Sequence, residues 1–376
     1  MPETAAPPST AIRAFTGARA VPALAIVLFH YYEANGYRGV PWFDGLVNKG
    51  FLWVEFFFAL SGFVLIHAYG ARAGGIFTPR GFGKFLAARV SRIYPVHIAM
   101  LLVLLALEII LQATGWPPNP TRGAATFVTN LLLIQAWNIH DNFSWNWPAW
   151  FVSAEFLLYL LFPFILLLRR AWWLLIPAGA SGLALLAITS GHGLDITYHN
   201  GILRGLGAFA IGAGFATLFE QVRAKAYSAL PEIAHTIAQL LLLGILLGAF
   251  YFGGTPKTQY DTLAVLPILA FVFLLAFDHG LIARAFWTKP LQTIGEWAFG
   301  IYMVHFTFLQ LLQIAKQTIY APSGVWAAIM WWGEPAIVLL LSLIGGWALT
   351  RFVDRPIGDA MRKRLTQWIA PAQPRL

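Results

Sequence analysis

Cysteine is absent from all 376 residues of the chain. Its absence excludes disulfides, thiolate zinc sites and an acyl-cysteine intermediate. Charge is scarce as well. Only 11% of residues are Asp, Glu, Lys or Arg, where a soluble chain has about a quarter. No Gly-x-Ser-x-Gly elbow occurs, which argues against a hydrolase-type acyl-serine route. No long linker, low-complexity tract or internal repeat interrupts the sequence, so one domain is expected. The opening residues MPETAAPPST lack the basic start of a signal peptide, and the apolar segment after Arg19 is expected to stay as a first span.

What is present is apolar. Hydrophobic residues make up 59% of the chain, including 16 tryptophans. Long apolar stretches alternate with short basic loops, the pattern of an all-α polytopic membrane protein. The net charge of +9 then sets orientation and meets anionic lipid, and no nucleic-acid partner is expected.

Spans are expected near residues 17–35, 51–70, 93–114, 149–168, 171–190, 200–219, 235–252, 261–279, 293–315 and 328–350. Each is close to the ~20 residues needed to cross. Residues 127–140, FVTNLLLIQAWNIH, are apolar but short, and such a stretch is more often re-entrant or interfacial. The charge distribution decides. If 127–140 does not cross and the N-terminus is cytoplasmic, 19 of the 25 Lys and Arg residues fall inside; if it crosses, only 10 do. The positive-inside rule selects the first arrangement. The expected fold is therefore about ten transmembrane helices with both termini cytoplasmic. A re-entrant or interfacial segment from about 115 to 148 lies on the outer face, carrying Trp116, Trp137, Trp145, Trp147 and, at its boundary, Trp150. Residues 1–350 form the transmembrane domain, and 351–376 form a basic interfacial cytoplasmic tail with Trp368.

Within the first span, RAVPALAIVLFH places Arg19 and His30 eleven residues apart. That is about three helical turns, so both share one face, roughly 16 Å apart along the axis. Ionisable groups at such depth are costly in hydrocarbon and usually face a working cavity. The topology groups the other polar residues. His30, His305, Glu55 and Glu155 are expected to share the outer half of the membrane, with Tyr159 on the face of Glu155 and Tyr302 on that of His305. Arg89 and Arg92, ending a basic loop, join Arg19 in an inner cluster. Arginine forks suit phosphates. A neutral imidazole suits taking a proton from an alcohol, and a carboxylate beside it could orient the ring or stabilise the imidazolium. The pattern suggests a donor whose phosphates are held inside while its reactive end reaches upward.

Plainer readings compete. A basic pair at a membrane boundary is most often a topology signal, and a membrane histidine can be an interhelical contact. His67 and His97 read as structural, and Glu108 can simply bond Gln112 one turn on. The outer Asn138, Asp141, Asn142 and Asn146 among aromatics suit sugar rings, or equally an interfacial belt.

Six segments in order carry a resemblance. RAVPALAIVLFH is similar to an Arg-x10-His opening, and GFLWVEFFFALSGFVL resembles a second-span signature with Glu55 in place of the usual aspartate. FLAARVSRIYPVHIAML resembles an Arg-x-x-Arg-Ile-x-Pro segment. WPAWFVSAEFLLYLLFPFIL resembles a Trp-Ser-Leu-x-x-Glu stretch with Phe151 and Val152 replacing Ser-Leu. IGEWAFGIYMVHF resembles a Gly-x-x-Ser-Tyr-x-x-Tyr-x-x-His pattern with Ala298 and Phe299 replacing Ser-Tyr, and FVDRP is similar to a Glu-x-Pro close. Together they resemble the acyltransferase-3 family of bacterial membrane O-acyltransferases. The resemblance implies transfer of an acyl group, commonly acetyl, from cytoplasmic acyl-CoA to a hydroxyl of an extracytoplasmic carbohydrate, in the bacterial inner membrane. It implies His30 as catalytic and Arg19, Arg89 and Arg92 on the CoA side; from the grouping of polar residues, Glu155 is expected to act with His30, and Glu55, Tyr159, Tyr302 and His305 to support them. Acetyl-CoA or another acyl-CoA is the expected donor, no metal is expected, and polysaccharide-synthesis proteins are candidate partners. The rival reading is a transporter or exporter using the intramembrane His and Glu as a proton relay. Transporters often show repeated, broken halves, and the missing repeat counts against it.

Overall fold

In a computed structural model the described residues are 12–225, 230–252, 257–258, 260–319 and 323–369; the opening residues and the last seven of the tail, with Arg375, lie outside them. The described chain is helical and contains no strand. The first half runs α1 (Arg13–Ala18), α2 (Ala20–Asn35), α3 (Pro41–Asn48), α4 (Trp53–Tyr69), α5 (Ala73–Ile76), α6 (Pro79–Ala113), α7 (Ala124–Leu131) and α8 (Ala149–Leu167). The second half runs α9 (Trp172–Thr189), α10 (Gly201–Lys225), α11 (Glu232–Phe252), α12 (Asp261–Leu275), α13 (Leu281–Ala285), α14 (Lys289–Thr318), α15 (Gly324–Leu349) and α16 (Arg355–Ile369).

Among the described residues, eight helical stretches are long and apolar enough to cross a membrane. One of these, Ala149–Thr189, is broken by a 3-10 turn at Leu168–Ala171 that holds Arg169 and Arg170. The 15-residue α12 is apolar but shorter, ending four residues before the expected 279 because Asp278 adopts a positive φ. Apolar side chains on α9, α11 and α15, such as Ile188, Leu241 and Ile344, point outward. A helix apolar all round is at home in lipid. Between residues 115 and 148 the one α-helix is α7, eight residues, about 12 Å and too short to cross. Positive φ at Leu133, Asn138 and Trp145 keeps the rest irregular.

One sequence expectation changes here. Arg89 and Arg92 stand inside α6, a continuous helix of 35 residues, and not at the end of a loop. Pro79 occupies its first turn and the Thr78 hydroxyl accepts from the Gly81 N–H at 3.0 Å. Both features start a helix, and the basic residues that follow are good helix formers.

Two groups of helices position the site. α10 packs against α4, α8, α9 and α12, while α14 packs against α1, α2, α6 and α15; α2 also touches α4. Small residues permit the closest approach. A Cβ on Gly212 of α10 would lie 1.9 Å from the Ala59 carbonyl oxygen of α4, so only glycine lets these backbones meet. The tail helix α16 lies along α6, where Ile369 faces Gly83. A π-helical turn, Thr350–Asp354, leads into it.

Candidate functional site

Two regions of polar side chains face each other across Tyr302. The first is a cavity of 170 Å³ lined by Arg19, Arg89, Arg92, Glu155 and Tyr159. Arg19 occupies the turn between α1 and α2, in helical backbone conformation, so the chain runs on into α2. Arg89 and Arg92 come from one face of α6, and Glu155 and Tyr159 from one face of α8. The Tyr159 and Ser61 hydroxyls face the Glu155 carboxylate. Arg92 pairs with Asp354, which the π-turn delivers. The Arg89 guanidinium stands 6.0 Å from the Tyr159 ring centre, and its buried Nε has no hydrogen-bond partner among the described residues. This arginine cavity carries three cations against Glu155 and Asp354, a balance suited to an anionic ligand.

The second region surrounds His30, which lines two further cavities of 670 and 210 Å³. Tyr302 lines both the smaller of these and the arginine cavity. Its hydroxyl donates to the Pro148 carbonyl at 2.9 Å, which fixes the ring between them. His30 Nδ1 lies 2.9 Å from His305 Nε2, and His305 Nδ1 lies 2.6 Å from the Tyr302 carbonyl oxygen. The carbonyl can only accept, so His305 carries its proton on Nδ1. In the neutral ring its Nε2 is then an acceptor, and His30 must donate from Nδ1. That leaves the lone pair of His30 on Nε2. The two rings form a relay that fixes one tautomer, in which His30 presents a base.

The outer flank of this region is tied by Lys257. Its ammonium donates to Glu33 at 2.7 Å and to Asp195 at 2.6 Å. Burial pulls the Lys257 pKa down, but the Asp195 and Glu33 carboxylates outweigh it and hold the pKa above the usual lysine range.

The structure brings together Arg19, Arg89, Arg92, Glu155 and Tyr159, and separately His30, His305 and Tyr302. Two expectations about grouping do not hold. Glu155 does not stand beside His30; it belongs to the arginine cavity, and the ring partner of His30 is another histidine. Glu55 joins neither group. It is fully buried against Arg204, which donates from Nη2 to Glu55 Oε2 at 2.9 Å and to the Phe51 carbonyl at 2.7 Å. Every polar atom of that pair is occupied within the helix packing, so its place is structural. Arg204 could have been found in the sequence: it is a lone intramembrane cation that needs a buried anion. His97 sets its Nε2 against the Asn130 carbonyl at 2.7 Å, a contact between α6 and α7. Glu108 does meet Gln112 at 3.0 Å, and also pairs with Arg122 at 2.9 Å. Sequence spacing gives no sign of that second partner, fourteen residues away beyond a helix end.

Comparison with known proteins gives the family. A family model described as an acyltransferase domain matches residues 12–351. The chain is 25% identical to "Acyltransferase MdmB" of Streptomyces mycarofaciens, over 95% of this chain and 94% of that protein. It is 24% identical to "Peptidoglycan O-acetyltransferase OatA" of Listeria monocytogenes, over 91% of this chain but 55% of that protein. A 98-residue stretch is 40% identical to "Protein 2 in picA locus" of Rhizobium radiobacter, covering half of it. No solved structure matches. With a family model spanning nearly the whole chain, the protein belongs to the acyltransferase-3 family and is a multi-pass membrane acyltransferase.

Proposed function

We propose that the protein moves an acyl group, most simply acetyl, from cytoplasmic acyl-CoA to a hydroxyl of an extracytoplasmic carbohydrate. The observation that carries this reading is the pairing of an arginine cavity with a histidine base on opposite sides of Tyr302. Arg19, Arg89 and Arg92 receive the donor's phosphates. The arginine cavity of 170 Å³ is smaller than the roughly 300–1,000 Å³ of a site that encloses a whole ligand. It therefore takes the pantetheine arm, with the nucleotide at its mouth. Eleven residues of helix, about 16 Å, separate Arg19 from His30. That is a fitting reach from phosphates to thioester.

In the transfer step His30 Nε2 takes the proton of the acceptor hydroxyl. The hydroxyl oxygen forms the new ester bond to the thioester carbonyl, and the C–S bond breaks. The thiolate leaves and recovers a proton from the imidazolium, giving ester and free CoA thiol. His305 carries no acyl group; it holds the His30 tautomer. Glu155, through Tyr159 and Ser61, orders the donor side. The alternative route, with the acyl group first carried on His30 itself, uses the same nitrogen.

This reading takes the chain as ten spans, counting α8, α9 and α12 separately, in a bacterial inner membrane with both termini cytoplasmic. Residues 1–350 are the catalytic domain, and 351–376 the interfacial tail. Polysaccharide-synthesis proteins would supply the acceptor. The test is acyl transfer by purified protein from labelled acetyl-CoA. His30→Ala should lower transfer by about 10²- to 10⁴-fold, the usual weight of a general base, with the detergent-solubilised fold intact. Arg89→Glu should weaken CoA binding while sparing acceptor binding. Retained transfer in His30→Ala would sink the assignment.

A further inference from the structure

The larger histidine cavity, 670 Å³ between α2, α6, α14 and the segment after α6, has a polar lining that the helix packing leaves unsatisfied. Arg122 reaches it with a side chain only 4% exposed, paired through Nη1 to Glu108, which is 7% exposed. The Arg122 Nη2 is buried with no hydrogen-bond partner among the described residues. Across the cavity, Gln310 Oε1 of α14 is likewise buried and unpartnered. A buried donor and a buried acceptor left empty are each costly to the fold. Such a group calls for a partner, and a molecule bound in a cavity of this size can supply one. His30 lines the same cavity, and Trp116 gives it an apolar wall.

Charge selects the ligand class. Glu108 is neutralised by Arg122, and Glu33 shares the single Lys257 cation with Asp195. No uncompensated cation lines this cavity, in contrast to the arginine cavity. Beside the His30 base, the lining offers a buried free donor on Arg122, a buried free acceptor on Gln310 and an aromatic face. They match a neutral ring that carries several hydroxyls on its edge and C–H groups on its face.

We propose that this cavity is the acceptor subsite, in which Arg122 Nη2 and Gln310 Oε1 hold a neutral polyhydroxylated ring with one hydroxyl presented to His30. The assignment rests on the transfer reading above. It deepens that reading by naming where the acceptor binds and that it is uncharged there. Gln310 and Arg122 are positioning residues for the acceptor, acting on its binding and not on the donor.

The probe is methyl β-glucopyranoside, observed by saturation-transfer NMR with the full-length protein in detergent. Binding is expected in the native protein, and also in His30→Ala, which cannot transfer. Gln310→Leu should weaken the signal about tenfold, the loss of one buried hydrogen bond, and leave acetyl-CoA binding unchanged. Because Arg122→Ala would strand Glu108, the paired change Arg122→Gln with Glu108→Gln is the second variant, with the same expected loss. In kinetics Gln310→Leu should raise the acceptor KM without changing the donor KM. Methyl β-glucuronide, the charged counterpart, should bind less well than the neutral glycoside. No glycoside signal in the native protein, an undiminished signal in both variants, or preference for the glucuronide would each overturn the subsite. Failure of the transfer reading looks different: glycoside would bind normally, but acetyl transfer would be absent or indifferent to His30.

Discussion

Two glutamates within apolar helices, Glu55 on α4 and Glu155 on α8, look alike in the sequence and have opposite fates in the fold. Glu55 is locked in a bidentate contact with Arg204, whose remaining N–H groups reach the Phe51 and Ile196 carbonyls. Both oxygens of its carboxylate are taken by that one partner. Glu155 instead meets only hydroxyls and lines an open cavity with three arginines, one of which keeps a buried N–H without a partner. The contrast shows how to tell a membrane ion pair that holds helices together from one that serves chemistry. Unfilled hydrogen-bonding capacity marks the second kind, and exposure agrees with it: Glu55 is fully buried, while Glu155 is partly exposed in its cavity.

The comparison breaks most visibly at Arg204. Arg204→Met strands the Glu55 charge, and such a loss costs about 3–5 kcal/mol. Thermal unfolding in detergent should show a large drop, whereas Glu155→Gln should leave the unfolding transition nearly in place. Equal destabilisation by both variants would erase the distinction. Next in size is the histidine relay. His305→Leu removes the acceptor for His30 Nδ1 and should lower kcat by about 10- to 100-fold with donor KM unchanged. His305→Gln, which keeps an acceptor oxygen in reach, should recover part of the rate. If Leu and Gln behave identically, the tautomer argument is wrong. Glu155→Gln itself should raise the donor KM severalfold, read by steady-state kinetics, because Tyr159 and Ser61 lose a charged acceptor. The smallest effect is expected at Lys257. Its partners are partly exposed, so Lys257→Met should cost no more than about 1 kcal/mol. Its raised pKa means this contribution is complete below the ordinary lysine value of about 10.4 and is lost only as pH rises through the folded value. The Lys257→Met difference should therefore be constant between pH 6 and 9.

Much of the fold was legible because hydrocarbon imposes a simple rule of apolar length. Stretches such as Ala20–Asn35, Trp53–Tyr69 and Glu232–Phe252 appear close to their expected positions. The shortfall of 127–140 was also readable, and α7 ends at Leu131. Misjudged features involve choices that length does not constrain. The basic run before Tyr94 reads as loop by charge but continues α6 by propensity and capping. Depth along a span could be computed, and it put Glu55, Glu155 and His30 at one level. Rotation about each helix could not, and rotation sends Glu55 to Arg204 and Glu155 to the arginines. The Arg19, Arg89 and Arg92 cluster was legible because each precedes the apolar run of its span in the sequence. The Glu108–Arg122 pair was not, since it depends on how an irregular segment folds back over α6.

Tyr302 has a consequence beyond chemistry. Cavities open on either side of its ring, and the ring is pinned by its hydrogen bond to Pro148. On the proposed topology, an enzyme that works on both sides of a membrane must not short-circuit it. The phenol ring is then insulation. It keeps the proton gradient from discharging through the same passage by which an acyl group crosses, and any opening large enough for that group must close around it as it moves.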